Sequence, residues 1–79
     1  MMISKTVIIG GIRTSVKLEQ EFWFYLKKIA DNRNIRLSRL INDIADAHPD
    51  RTNLASTIRV FALVHAQLQA WNRERYVPS

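Results

Sequence analysis

Ile12-Arg13-Thr14-Ser15-Val16-Lys17-Leu18, followed at once by Glu19-Gln20-Glu21-Phe22-Trp23, is the stretch on which the fold turns. Polarity alternates through its first part, with Ile12, Thr14, Val16 and Leu18 on one face and Arg13, Ser15 and Lys17 on the other. A period of two is that of a β-strand, here with one face fit for burial and one polar, basic face. The period then changes. Phe22, Trp23, Leu26, Ile29 and Ala30 fall on one stripe of an amphipathic helix, and Glu19 and Glu21 sit in its first turn, where the positive end of the helix dipole favours them. Asn34 suits a left-handed residue at its C-terminal cap.

A second helix carries its stripe at Leu37, Leu40, Ile41, Ile44 and Ala45 and ends near His48-Pro49, since the residue before a proline disfavours helical geometry. Its start is poorly marked, because Arg36 holds the cap position and Ser38 lies inside. Asn53 is a suitable N-cap for a third helix running from Leu54 to Asn72 or Arg75. Its apolar residues make two adjoining stripes, Leu54/Ile58/Phe61/Leu68 and Val60/Leu63/Val64/Trp71. A helix apolar on so much of its circumference is expected to be buried on more than one side.

A lone strand cannot satisfy its own backbone groups. Two partners are available: Thr6 to Ile9, folding back through Gly10-Gly11 as a hairpin, or the same strand of a second chain. Val7, Ile8 and Ile9 do not alternate in polarity, and a hairpin would leave a long sticky edge, so the intermolecular pair is preferred. The expected organisation is an arm at 1–11, a core at 12–47, a loop at 48–53, and a helix and tail at 54–79.

The chain has 79 residues and no cysteine, which excludes disulfides and thiolate metal sites as sources of stability. With 47% apolar residues it reads as one compact domain near the lower size limit for independent folding. Formal charge is +5. The excess lies in the first half, where Lys5, Arg13, Lys17, Lys27, Lys28, Arg33, Arg36 and Arg39 face only Glu19, Glu21 and Asp31. Such one-sidedness points toward a polyanion partner. Thr6 to Ile9 is too short for a signal-peptide core and no window is apolar enough to span a membrane, so a soluble, cytoplasmic protein is expected.

The order strand, helix, turn, helix, with Arg-x-Ser-x-Lys outward on the strand, resembles the ribbon-helix-helix DNA-binding family of Arc and MetJ type. Gly11 to Glu19, Phe22-Trp23, Leu37-Ser38 and Asn53 to Phe61 are also similar to a subgroup with an added C-terminal helix. The resemblance implies a mainly α fold with one β-strand per chain, built as an intertwined homodimer around an intermolecular antiparallel β-ribbon. It also implies that this ribbon enters the major groove of double-stranded DNA at a pseudo-palindromic site. Arg13, Ser15 and Lys17 would be the base readers. Arg36, Leu37 and Ser38, at the start of the second helix, would hold phosphate, although Arg36 departs from the usual Ser or Thr cap. Val16, Leu18, Phe22, Trp23, Leu26, Leu40, Ile41 and Ile44 would form the dimer core.

Guanidinium-to-guanine pairing suits Arg13, and a major groove about 12 Å wide admits a two-stranded ribbon. Lys27, Lys28 and Arg33 read as a solvated helix face, and His65 as a packing histidine. No nucleophile with a base, carboxylate pair or metal-ligand spacing is present, so neither an enzyme nor a cofactor is expected. The implied function is sequence-specific transcriptional repression. The alternatives are an antitoxin and a protein-interaction module that does not bind DNA; association beyond the dimer stays open.

Overall fold

Gly10 and Gly11 decide where the strand finds its partner. Both adopt positive φ, 57° and 80°, the pair of values a tight hairpin turn of right-handed twist requires and glycine reaches without a Cβ penalty. In the computed structural model, which describes residues 1–48 and 53–75 with side chains through Trp71, strand β1 (Met2–Ile9) therefore folds back onto β2 (Ile12–Glu19). The pairing is antiparallel, from Ile9 opposite Ile12 to Met2 opposite Glu19. The preference for a strand paired only between chains is thus corrected: there are two strands, and residues expected as an arm supply one of them. The run Val7-Ile8-Ile9 alternates in placement if not in polarity, since Val7 and Ile9 are buried and Ile8 points out, 59% exposed.

Three helices follow: α1 (Gln20–Asn32), α2 (Leu37–Asp46) and α3 (Leu54–Arg75). Helix α1 ends in a left-handed turn at Asn34 (φ 56°). The Asn34 amide donates to the Asp31 carbonyl at 3.1 Å and the Ile35 amide to Ala30 at 3.0 Å, the reciprocal pair of a Schellman cap. Helix α2 stops with Ala47 as its cap; Pro49, the rest of the loop before Asn53, and the tail after Arg75 lie outside the described residues.

The inner face of the sheet, Val7, Ile9, Val16 and Leu18, closes over Trp23, Leu26, Ile29 and Ala30 of α1, Leu40, Ile41, Ile44 and Ala45 of α2, and Ile58 and Ala62 of α3. Each fully buried Leu or Ile contributes about 1.5–3 kcal/mol. Residues expected to need a second chain for burial are covered within one: Val16, Leu18, Trp23, Leu26, Leu40, Ile41 and Ile44 are buried, and Phe22 packs half-buried at the margin. Trp23 Nε1–H donates to the Ile3 carbonyl at 2.8 Å, tying α1 to β1.

Helix α3 departs from expectation. Among its described side chains only Ile58 and Ala62 are buried, while Val60, Leu63, Val64, Leu68 and Trp71 are about half exposed. A core already closed by the hairpin, α1 and α2 offers the third helix one line of contact, not two. Arg59 Nε–H to Glu19 Oε1 at 2.8 Å, and Tyr25 Oη with His65 Nδ1 at 2.7 Å, fasten it to the end of β2 and to α1.

Candidate nucleic-acid interface

The register sorts every strand residue onto a face. Ser4 opposes Lys17, Thr6 opposes Ser15, and Ile8 opposes Arg13, all on the side away from the core. Arg13, Ser15 and Lys17 are exposed there, one row along β2. Beside it runs a second row that the sequence reading missed, Ser4, Thr6 and Ile8. Ser4 Oγ lies 2.8 Å from Ser15 Oγ, so the two hydroxyls orient each other across the strands. The signal was available in the period-two placement of Ser4, Thr6 and Ile8 before a glycine pair, masked by the apolar side chain of Ile8.

Charge on this outer face is one-sided. Its carboxylate, Glu19, stands at the far end of β2 and is neutralised by Arg59, whose hydrogen bond holds the Glu19 carboxyl below the usual carboxylate range. Arg13 and Lys17 therefore keep their field.

The backbone of β2 has one free edge. A two-residue turn closes on a doubly hydrogen-bonded pair, here Ile9 and Ile12, and bonding alternates from there. The Gln20 amide donating to the Met1 carbonyl at 2.9 Å continues the same alternation beyond the strand ends. Arg13, Ser15 and Lys17 accordingly turn their N–H and C=O groups away from β1. Alongside this edge Ile9, Ile12, Thr14 and Val16, with Asn53, Leu54 and Ala55 of α3, line a groove, and Ile12 is mostly exposed.

Arg36, Leu37 and Ser38 lie where the sequence places them, at the start of α2. Arg36 is the N-cap, extended at φ −74° and ψ 150°, and makes no side-chain cap bond. The first-turn amides of Leu37, Ser38 and Arg39 have no acceptor inside the helix. Leu37 is half-buried and Ser38 and Arg39 are exposed. Thr6, Val7 and Ile8 share a shallow groove with Ser38, Arg39 and Asn42, so β1 lies between the basic row of β2 and the helix start. Asn42 fixes that spacing by accepting the Gly10 amide at 3.1 Å, a contact with no sequence signal because its partner is backbone.

The remaining basic residues of the first half are otherwise engaged. Lys27 pairs with Asp31 at 2.6 Å, Lys28 lies over the Phe24 ring, Arg33 over Phe61 and Lys5 over Trp23. His65 is pushed below its ordinary value by burial, with Arg33 adding to the effect, so its imidazole is neutral and structural.

Among the described residues no helix is long and apolar enough to cross a membrane. A ribbon-helix-helix domain model matches residues 2–66. No curated protein matches the sequence. Among solved structures, an uncharacterized protein from Bordetella pertussis Tohama I is similar over the whole of this chain, with 31% identity and a TM-score of 0.83. This chain spans 64% of that one.

Proposed function

The chain belongs to the ribbon-helix-helix family, and from that membership we propose that it is a dimeric, sequence-specific DNA-binding regulator, a transcriptional repressor acting on DNA in the cytoplasm. The observation that carries this reading is the exposed row Arg13, Ser15, Lys17 on a strand whose opposite face is core. Two copies join by antiparallel pairing of their free β2 edges. Their basic rows then lie side by side at the centre of a four-stranded sheet, with the strands about 4.8 Å apart.

A major groove about 12 Å wide takes the central pair. Arg13 reads guanine O6 and N7 through both guanidinium donors; Lys17 reaches the same acceptors or a phosphate; Ser15, steered by Ser4, is short enough to let the backbone approach. The flanking β1 strands meet the groove walls, where the Thr6 hydroxyl suits a phosphate. The first-turn amides of α2, with Arg36 and Ser38, hold the next phosphates and set the register.

An antitoxin is less well supported: Leu54 to Asn72 contains no acidic residue, whereas a toxin-binding arm of the family's kind is flexible and often acidic. The test is fluorescence anisotropy on labelled duplex DNA. Random duplex should bind at roughly 10⁻⁴ to 10⁻⁶ M near physiological salt, and if about 6 phosphates are neutralised, log K should fall against log salt with a slope of about −5. A flat salt response refutes the proposal.

A further inference from the structure

Ile8 breaks the polar face of the hairpin. It stands outward and 59% exposed, in the row whose other members include Ser4 and Thr6. The core has no use for it, since Val7 and Ile9 on either side supply the buried face. Strand propensity does not require it either. Threonine, as at Thr6, is β-branched and serves a wet face without exposing so much apolar surface.

We infer that Ile8 is a specificity-determining residue, which reads the C5-methyl group of a thymine beside the guanine held by Arg13. The inference rests on the DNA reading above and adds to it a base contact made from β1, outside the strand that carries the basic row. Ile8 is the register partner of Arg13. The pair is of the closer antiparallel kind, because the N–H and C=O of Arg13 turn away from β1, so the two Cβ atoms lie about 4.5–5.5 Å apart. A guanidinium seated on a base edge thus brings an apolar side chain to the adjoining part of the groove.

On its other side Ile8 borders the start of α2, sharing a shallow groove with Ser38, Arg39 and Asn42. It therefore lies between the row proposed to meet base edges and the helix turn proposed to meet phosphate. In B-form DNA a pyrimidine C5 projects into that same interval, on the side of the major groove toward its own backbone, and thymine alone of the four bases carries a methyl there. Reach agrees with placement. Isoleucine extends less far than arginine, and a methyl at the side of the groove is met before the acceptors on its floor. Arg13, Ser15 and Lys17 end in polar groups, so an apolar test of thymine against cytosine falls to Ile8.

Fluorescence anisotropy of the full chain tests this on duplex recovered by selection from a random pool, with each thymine replaced singly by deoxyuridine, which removes the methyl and keeps every hydrogen-bonding group. One thymine per half-site, next to the guanine whose preference Arg13→Ala relaxes, should lose affinity about 4-fold on replacement, the worth of one buried methyl-sized group. Ile8→Ala should lose at least as much on the thymine duplex and bind the thymine and deoxyuridine duplexes alike, with far-UV circular dichroism unchanged. Ile8→Val, which keeps a branched apolar end, should retain sensitivity to the methyl. A selected site with no thymine beside that guanine, wild-type binding indifferent to every replacement, or a methyl effect that survives in Ile8→Ala overturns the inference. A chain that binds no duplex refutes the DNA proposal and this one together, whereas duplex bound without regard to the methyl refutes this one alone.

Discussion

Arg13 carries the sharpest expectation. Arg13→Ala should cost about 1–3 kcal/mol at a selected site and relax preference at one base per half-site; an unchanged preference in a binding selection would remove it as a reader. Ser4→Ala, which frees Ser15 to rotate, should act in the same direction and less. His65 gives a prediction about pH. Burial and Arg33 hold its folded pKa below the ordinary value of about 6.5, so the native state binds fewer protons than the unfolded one below that value. Stability should be constant above about pH 6.5 and decline from there until the lowered folded pKa is passed. Urea unfolding across pH 5 to 8, for wild type and His65→Gln, checks this: the decline should flatten in the variant. The outward residues of β2 were readable because an alternating strand declares its faces. Asn42 and Ser4 were not, since each matters through a partner far away in sequence.

Among the elements, the hairpin depends most on two backbone angles. Gly11 has φ 80° with open space around a Cβ at that position, so strain and not collision decides a substitution. Gly11→Val should destabilise by about 1–2 kcal/mol, while Gly11→Asn should be better tolerated; urea midpoints at constant slope would show it. A valine variant as stable as wild type would mean that β1 pairing contributes nothing to the fold. The three helices were legible, and with them the left-handed Asn34, because caps are local chemistry; the start of α2, capped by Arg36 without a side-chain bond, carried no such signal. Strand β1 was misread for a reason equally local: Ile8 places an apolar side chain on the polar face, which hides the alternation of its neighbours.

For the whole molecule, the proposed pairing of two β2 edges would impose a twofold axis, so DNA recovered by selection from a random pool should contain an inverted repeat with equivalent half-sites. A single asymmetric motif would contradict the symmetric dimer. The sequence by itself determined the three helices, the inward and outward faces of β2, the cap of α1 and the one-sided charge, since each follows from periodicity and composition over a few residues. Tertiary structure alone decided that β1 satisfies one edge of β2, that a single chain closes its own core, and that α3 keeps an apolar side uncovered. Those outcomes depend on competition among distant segments for one small buried volume, and no local pattern records which segment fills it first.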